Sequence, residues 1–312
     1  MPSVISVPSI LLSSDASAAA EYEDAHVHAI YEQIAPHFSS TRYKPWPVIA
    51  AFLETLPSGW IGVDSGTGNG KYLPLGPARS PNSVLTIGLD KSLNLLKIAQ
   101  NAGGGVVRRE VIRANVLDAC WRQGIFDYSI SIATVHHLAT YERRKQAVQR
   151  LLQTVSPSHG RLLIYVWAVD QDEFSKREIP PDKHTGTAVT ANRRQDGADV
   201  FVPWVFAPSA LKTDKSTYQY NPQAETNENA TNEHRVFNRY YHMFAKGELR
   251  RLVENAAEEM GLVISGTGPE KNTMAKVKRG QRGIEFVQDG WERSNYYVEV
   301  RRWTASELVE TS

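Results

Sequence analysis

Short apolar runs alternate with longer amphipathic segments between residues 60 and 168, and this alternation predicts the core of the fold. The helical segments include SLNLLKIAQNA and TYERRKQAVQRLLQTV, the second with Leu151, Leu152 and Val155 on one apolar stripe. A crossover between parallel strands needs about a dozen residues or more, and these helices are long enough to supply it. We therefore predict a mostly parallel, doubly wound α/β sheet with strands at 60–64, 84–90, 110–116, 126–133 and 160–168.

Two helices are predicted in front of this core. The first runs from Glu21 to just before Pro36, and the second starts at Pro47 and ends at the breaker PSG. The first helix has its apolar residues at helical spacing: Val27, Ile30, Tyr31 and Ile34. Residues 1–20 contain an apolar run interrupted by prolines and lack an early basic residue, so we expect a flexible tail there and not a signal sequence.

Behind the core, residues 169–236 are rich in polar side chains and are expected to form a largely mobile insertion. One stretch inside it, VFVPWVFAP at 200–208, is too apolar for a solvated loop, so we expect it to pack on the core or on a ligand. RYYHMFAKGELRRLVENAAEEMGLVISG then predicts a strand, a helix and a strand, and SNYYVEVRRW predicts a last strand. Residues 21–312 therefore read as a single domain.

The loop after the first strand, VDSGTGNGKYL at 63–73, is a candidate nucleotide site. A dinucleotide-binding loop needs GxGxxG, and Lys71 stands where the third glycine of that motif belongs. The spacing here is GxGxG, with Asp64 two residues before Gly66. This resembles the loop with which S-adenosylmethionine methyltransferases hold the amino-acid portion of their cofactor, although an ordinary tight glycine turn would also account for it.

Polar residues near the ends of the next two strands extend this candidate site. Asp90 ends the second strand, where a carboxylate can accept hydrogen bonds from both ribose hydroxyls of a nucleoside, and Asn115 can accept one from the adenine amino group. An Asp at a strand end is also a common helix cap, and Ser92 can serve as a cap as well. Carboxyl ends of parallel strands are where an open α/β sheet binds its ligand, so the set favours S-adenosylmethionine over NAD.

Composition narrows the range of partners. The formal charge is +1 with a pI near 7.9, so binding of a polyanion by bulk charge is excluded, and a nucleic acid would need a local patch or a shared surface. A single cysteine, Cys120, excludes an internal disulfide, and no Cys/His spacing suggests a metal site. We expect a soluble protein of the cytoplasm, with the nucleus as a second compartment.

Five segments carry a more specific resemblance: HVHAIYEQIAPHFSSTRYKPWP, ISIATVHHLATYERR, FVPW, RYYHMFAKGEL and WERSNYYVEV. In this order, between residues 26 and 301, they resemble the eukaryotic tRNA wobble-uridine methyltransferases. The resemblance implies a Rossmann-like class I methyltransferase fold with a seven-stranded sheet. It also implies that S-adenosylmethionine methylates the carboxylate of 5-carboxymethyluridine, giving 5-methoxycarbonylmethyluridine in the anticodon loop.

The resemblance also assigns roles to residues of this chain. Arg42 is the expected cation for a carboxylate, of the substrate or of the cofactor, and Trp167 with Trp204 would stack an extruded base. One of His136 and His137 would face the reaction, because we expect adjacent side chains to point apart. Arg293 and Asn295 are expected to line the pocket from the far side. The expected cofactor contacts are Tyr31, Asp64, Gly66, Gly68, Asn69, Gly70, Lys71, Asp90, Lys91, Ser92, Asn115, Val116 and Ile132.

For tRNA, the candidate basic groups are Arg143-Arg144-Lys145 and the run KVKRGQR at 276–282, although either could be a solvated face. The resemblance implies a partner too, a small zinc-binding activator that forms a heterodimer, expected along the third strand at the sheet edge. The chain departs from the family pattern at Thr67, usually Cys, at Asn115, usually Asp, and at Ser294, usually acidic. Replacing that Asp is expected to weaken cofactor binding by on the order of 1 kcal/mol.

Three other functions remain open on sequence grounds. A carboxyl methyltransferase of a small molecule or acyl carrier would use the same cofactor loop but leave the aromatic insertion unexplained. A catalytically silent methyltransferase-fold scaffold for the zinc protein is disfavoured by the intact Asp64 and Asp90. An NAD oxidoreductase is disfavoured by Lys71.

Overall fold

The computed structural model describes residues 5–6, 16–42, 44–76, 83–105, 108–173, 175, 197–206, 235–265 and 278–305. The helices are α1 (Ala16–Glu23), α2 (Ala29–Thr41), α3 (Pro47–Glu54), α4 (Leu93–Ala99), α5 (Tyr141–Thr154) and α6 (Glu248–Glu259). The strands are β1 (Ile5–Ser6), β2 (Ile61–Ser65), β3 (Leu85–Asp90), β4 (Glu110–Arg113), β5 (Tyr128–Ile132), β6 (Arg161–Trp167), β7 (Ala198–Phe206), β8 (Arg235–Met243), β9 (Val263–Ser265), β10 (Arg282–Glu292) and β11 (Asn295–Thr304). No helix of this described part is long and apolar enough to cross a membrane.

The main sheet has the order β4-β3-β2-β5-β6-β11-β10-β9. Strands β2 to β6 pair in parallel, and β11 is inserted antiparallel between β6 and β10. The predicted Rossmann-like fold is therefore confirmed, and the sheet has eight strands in the described residues where seven were predicted. The sequence reading missed β10, whose alternation is broken by a bulge between Phe286 and Gln288.

Helices cover both faces of this sheet and bury its apolar runs. On one face α5 and α6 pack on β6, β10 and β11 in a cluster that includes Leu152, Val253 and Val298. On the other face α3 places Phe52 and Leu53 against β5 and β6. This double coverage explains why the central strands are almost continuously apolar.

A second sheet, with the order β1-β7-β8, lies against the end of β6. The expectation that VFVPWVFAP packs on the core is confirmed for β7, which pairs with β8 and buries Val200 and Val202 beside Trp167. A bridge between Ala168 and Phe244 joins the two sheets. Most of the predicted mobile insertion, 169–236, lies outside the described residues.

The N-terminal helices run further in both directions than predicted. Helix α1 starts at Ala16, inside the segment that was expected to be a flexible tail, and a π-helical turn at Asp24–His28 links it to α2. The prediction that the helix stops before Pro36 was wrong, because α2 continues to Thr41. Pro36 cannot donate to the carbonyl of Glu32, and Nδ2 of Asn94 donates to that carbonyl instead, at 3.0 Å.

Candidate active site

The glycine loop follows β2 at the carboxyl edge of the main sheet. Its first turn is fixed by the amides of Gly66 and Thr67, which both donate to the carbonyl of Leu89, at 2.8 and 2.9 Å. Gly66 has φ +90°, and a Cβ there would lie 2.1 Å from Oγ1 of Thr134. The loop therefore packs directly on the residue that follows β5, and its backbone borders a cavity at this edge.

Asp64 is the buried carboxylate at the floor of this cavity, with 1% of its surface exposed. Its Oδ2 accepts a hydrogen bond from Oγ1 of Thr67 at 2.8 Å, and its Oδ1 has no hydrogen-bond partner among the residues that the structure describes. Burial, assisted by the nearby charge of Asp90, raises the pKa of Asp64 to about 7. An unpartnered buried carboxylate oxygen is costly, and a ligand ammonium would supply the missing donor.

Asp90 ends β3 and holds the glycine loop in place. Its Oδ2 accepts from the amide of Gly68 at 2.8 Å, and its Oδ1 accepts from the amide of Ser92 at 2.9 Å. Each oxygen keeps a further lone pair for a ligand hydroxyl. Ser92 is the N-cap of α4, as its sequence position allowed, since its Oγ accepts from the amide of Leu95 at 3.2 Å. Burial raises the pKa of Asp90.

Asn115, Val116 and Ile132 line the same cavity beyond Asp90. Oδ1 of Asn115 accepts from the amide of Leu117 at 3.0 Å, which fixes the side chain and leaves one lone pair of that oxygen. Asn115 lies two residues past the end of β4, which stops at Arg113. Lys91 also lines the cavity and forms an ion pair with Asp24.

Arg42 and Lys71 form the cationic side of the cavity, and Asn69 of the glycine loop lies beside them. The carbonyl of Arg42 accepts from Nδ2 of Asn69 at 3.2 Å, which ties the end of α2 to the loop. Nζ of Lys71 lies 4.6 Å from the ring centroids of both Trp46 and Tyr72. Burial first, and then the charge of Arg42, lower the pKa of Lys71 to about 8.

The opposite side of the cavity is a hydrogen-bonded aromatic network around Tyr31. The hydroxyl of Tyr31 lies 3.1 Å from Nε2 of His137 and 3.0 Å from the hydroxyl of Tyr241, and it accepts from Nη1 of Arg239 at 3.1 Å. Nδ1 of His137 is 2.9 Å from the carbonyl of Tyr240 and therefore donates to it. Burial lowers the pKa of His137 to about 3, so this ring is neutral at neutral pH.

His136 and His137 both line the cavity, and the expectation that one of them faces the reaction stays a prediction. They lie in a 3-10 turn, Val135–His137, where successive side chains do not alternate as they do in a strand. Nδ1 of His136 accepts from the amide of Trp167 at 3.1 Å, so the proton of the neutral ring sits on Nε2.

The stacking surfaces differ from the expected pair. Trp167 lines the cavity, but Tyr241 stacks on it with a centroid distance of 4.2 Å and an interplanar angle of 6°. Trp204 is not among the cavity-lining residues. Its indole nitrogen donates to Nδ1 of His37 at 3.0 Å, and the guanidinium of Arg239 lies 4.7 Å from its ring centroid.

Besides Trp204, three predicted site residues are not part of the cavity lining. A Cβ at Gly70 would lie 2.8 Å from Cα and Cβ of Ala99, so this glycine permits close packing of the loop on α4. Arg293 belongs to the turn between β10 and β11, with φ +49°. Asn295 folds back on that turn, where its Nδ2 donates to the carbonyls of Glu292 and Arg293.

The basic cluster at Arg143-Arg144-Lys145 does not form the predicted tRNA surface. Arg143 is bound by both oxygens of Glu23, at 2.7 and 2.6 Å, and Arg144 is buried and donates to the carbonyl of Leu138 at 2.9 Å. Lys145 pairs with Glu142 and Glu259. These charges hold the N-terminal helices and α6 against α5. The second run, at 276–282, is described only from residue 278 onward.

Sequence reasoning missed several lining residues, among which Arg239 is the most informative. Arg239 is 2% exposed, and no carboxylate within the described ranges forms an ion pair with it. It opens the segment RYYHMFAKGEL, so a charged residue directly before the aromatic residues of β8 was the available signal. The other missed lining residues include His28, Phe38, Trp46, Thr134 and Tyr241.

The fold and this cavity define a class I methyltransferase, and a family model described as "Methyltransferase domain" matches residues 63–164. The chain is 39% identical, over 239 residues, to the tRNA (carboxymethyluridine(34)-5-O)-methyltransferase of Schizosaccharomyces pombe, covering 76% of this chain and 90% of that protein. The chain belongs to the family of tRNA (carboxymethyluridine(34)-5-O)-methyltransferases.

Two further relatives carry the same name and are matched over smaller shares of their length. The Saccharomyces cerevisiae protein is 40% identical, with 62% of this chain and 61% of that protein covered. The Arabidopsis thaliana protein is 46% identical, with 50% of this chain and 36% of that protein covered. Among solved structures, the Burkholderia thailandensis 1,6-didemethyltoxoflavin-N1-methyltransferase has the same fold, with TM-score 0.51, 13% identity and coverage of 97% of this chain and 95% of that one.

Proposed function

We propose that this protein uses S-adenosylmethionine to methylate the carboxylate of 5-carboxymethyluridine at the wobble position of tRNA, giving the methyl ester 5-methoxycarbonylmethyluridine. Membership of the family named for that reaction supports the proposal. The cavity supports it too, because Asp64, Asp90 and Asn115, which we call the cofactor cradle, line it together with the buried Arg239. The cofactor supplies an electrophilic methyl group on a sulfonium. The residues of the chain bind the two reactants, align them and exclude water.

The cofactor is expected to bind along the carboxyl ends of β2, β3 and β4. The unpartnered Oδ1 of Asp64 fits an amino group, and the lone pairs of Asp90 fit ribose hydroxyls. Arg42 and Lys71 lie next to the glycine loop, so we assign them to the cofactor carboxylate. For Arg42 we thus propose the cofactor carboxylate and not the substrate carboxylate as the bound group.

The buried Arg239 is the residue that supports binding of the substrate carboxylate in this cavity. A guanidinium that is 2% exposed loses most of its hydration, and the phenol of Tyr31 compensates only one of its donors. Within the described part of the chain, Nε of Arg239 has no hydrogen-bond partner. A substrate carboxylate would offset this cost through a charge-assisted pair and would be held beside Tyr241 and Trp167.

No general base is required, because a carboxylate with a pKa of about 4 is already ionised at neutral pH. The cavity is consistent with that chemistry. His137 is neutral and has both ring nitrogens within hydrogen-bonding distance of Tyr31 and Tyr240, and His136 uses Nδ1 to accept the amide of Trp167. Both histidines thus position neighbouring groups.

The test measures base-labile methyl ester in tRNA after incubation with labelled S-adenosylmethionine. Substrates are tRNA with 5-carboxymethyluridine and the same tRNA with unmodified uridine, each with and without a zinc-binding activator. We expect label only on the carboxymethyl substrate, and a loss of about a hundredfold in kcat/KM for Arg239→Gln. Arg122→Gln, an exposed cation outside the cavity lining and outside both candidate tRNA-binding runs, is the matched control and should retain activity.

Label on unmodified tRNA, or an Arg239→Gln variant with normal kinetics, would contradict the proposal. Binding of S-adenosylhomocysteine without methyl transfer to any of these tRNAs would favour the scaffold function. Methylation of a small carboxylic acid but not of tRNA would favour the small-molecule methyltransferase.

The activator and the cellular compartment belong to the same proposal. Strand β4 is the edge of the main sheet, and its four residues are exposed or half-buried, which leaves a row of backbone groups for a heterodimer partner. An active, monodisperse isolated chain would contradict this part. We propose a cytoplasmic and nuclear location, which imaging of the tagged full chain would test.

A further inference from the structure

Strand β8 presents different residues to the cavity and to the protein interior. Arg239 and Tyr241 line the cavity. Because side chains alternate along a strand, Tyr240 and His242 lie on the opposite face. The alignment of β8 along its neighbours therefore decides where the guanidinium of Arg239 sits.

His242 is clamped on that opposite face between two carboxylates. Its Nδ1 lies 2.8 Å from Oδ1 of Asp199, and its Nε2 lies 2.7 Å from Oε1 of Glu248. Each ring nitrogen faces a carboxylate oxygen, so the ring donates to both carboxylates when both nitrogens carry a proton. Burial opposes ionisation of Asp199 and Glu248, but the hydrogen bonds and charge of His242 hold the pKa of each carboxyl below its ordinary value.

The clamp joins three elements through one ring. Asp199 is on β7, where its Oδ1 also accepts from the hydroxyl of Tyr240 at 2.7 Å. Glu248 is the first residue of α6, and its Oε2 accepts from the amide of Ala245 at 2.9 Å. The backbone fits tightly around it, since a Cβ at Gly197 would lie 2.7 Å from Nε2 of His242 and 2.8 Å from Oε2 of Glu248.

We propose that His242 is a positioning residue for the methyl-transfer reaction, which fixes β8 so that Arg239 stays in the cavity. Arg239 is buried without an acidic partner in the described part of the chain, so leaving the cavity for water would relieve its desolvation. The clamp opposes that movement by anchoring the strand three residues away. This inference rests on the proposed role of Arg239 at the acceptor carboxylate.

The experiment compares His242→Gln and Glu248→Gln with wild type in the full chain and with any activator present. A glutamine at 242 can donate to one carboxylate only, so the clamp is broken, whereas a glutamine at 248 keeps an acceptor for the ring. The matched control is His159→Gln, which breaks a His–Asp pair of the same length, 2.8 Å, at the amino end of the sheet. Readouts are KM and kcat on carboxymethyluridine tRNA, the dissociation constant of S-adenosylhomocysteine, and amide hydrogen exchange.

For His242→Gln we expect KM for the modified tRNA to rise about tenfold to a hundredfold, with cofactor affinity unchanged. Glu248→Gln should show only a small part of that rise in KM, and His159→Gln should show no rise. Combining His242→Gln with Arg239→Gln should add little to Arg239→Gln alone, because both act through one guanidinium. Amides of 235–243 should exchange faster in His242→Gln, while those of 61–70 stay protected.

Three results would overturn the inference: a normal KM in His242→Gln, an equal loss of cofactor affinity, or additive effects with Arg239→Gln. If wild type makes no ester, the proposed function fails. Hydrogen exchange then decides the positioning role on its own, and unchanged protection of 235–243 in His242→Gln would refute it. If His242→Gln does not fold, the same measurements on Asp199→Ala, which removes the acceptor of Nδ1, decide the inference, and a normal KM with unchanged exchange would refute it.

Discussion

Replacing Asp64 by Asn should move stability and cofactor affinity in opposite directions. Asp64 is 1% exposed and has one oxygen without a partner, and its pKa is raised to about 7 from an ordinary value of 3.8. Asn keeps an acceptor for the hydroxyl of Thr67 but cannot ionise. The substitution therefore removes a buried negative charge and keeps the shape of the site.

The raised pKa sets the sign and size of the stability effect. The folded protein resists ionisation of Asp64, so the penalty is absent below the unfolded pKa of 3.8, grows between pH 3.8 and 7, and is complete above pH 7. A shift of this size corresponds to about 4 kcal/mol at pH 8. We expect Asp64→Asn to raise the unfolding free energy of the cofactor-free protein at pH 8 by up to that amount, and to change little at pH 4.

Cofactor affinity should change in the other direction. An amino group needs the ionised carboxylate, so wild type should bind S-adenosylhomocysteine about tenfold more weakly at pH 6 than at pH 8, because Asp64 titrates near pH 7. Asp64→Asn should bind weakly at both values. Isothermal titration calorimetry gives the affinities, and urea unfolding at pH 4 and pH 8 gives the stabilities.

Two outcomes would refute this reasoning. A wild-type dissociation constant that stays constant between pH 6 and pH 8 would show that Asp64 is already ionised in the free protein. An Asn variant that is less stable than wild type at pH 8 would show that the charge is compensated by contacts that Asn cannot reproduce. Glu258→Gln, which alters an exposed carboxylate on α6, is the control and should leave both properties unchanged.

Two further predictions concern the stability of the fold, one through side-chain packing and one through a buried ion pair. Gly70→Ala should destabilise the protein by about 2 kcal/mol or more, because the new Cβ would lie 2.8 Å from Ala99 and φ of residue 70 is +75°. Urea unfolding measures the change in unfolding free energy, and a variant as stable as wild type would contradict this prediction. Glu23→Gln should cost about 3 kcal/mol by breaking the buried pair with Arg143, whereas Glu142→Gln, at a side chain 72% exposed, should cost under about 1 kcal/mol. Equal losses in the two variants would contradict the structural role of Glu23.

The sequence predicted the parallel core well because its signals are local. Each central strand is buried on both faces and reads as an apolar run, and the polar groups of the cofactor cradle follow directly at the ends of those runs. Asp64, Asp90 and Asn115 could therefore be placed at one edge before any coordinates. By contrast, β10 and the extension of α2 past Pro36 depend on pairing partners that are distant in the chain.

The acceptor side of the site depends on tertiary structure for the same reason. Arg239 reaches Tyr31 across 208 positions, and an arginine beside aromatic residues on β8 gives no local sign that it is buried without an acidic partner among the described residues. Likewise, Arg143 and Lys145 look like a basic patch until their distant carboxylates are seen.

The parallel sheet, the residues of the cofactor cradle and, through its signature segments, the family could all be predicted from the sequence. Each depends on short-range patterns of burial and turn geometry. The tertiary structure was needed to show which charged side chains form internal ion pairs and which one lines the cavity. Desolvation and pairing are set by residues that folding brings together from far along the chain.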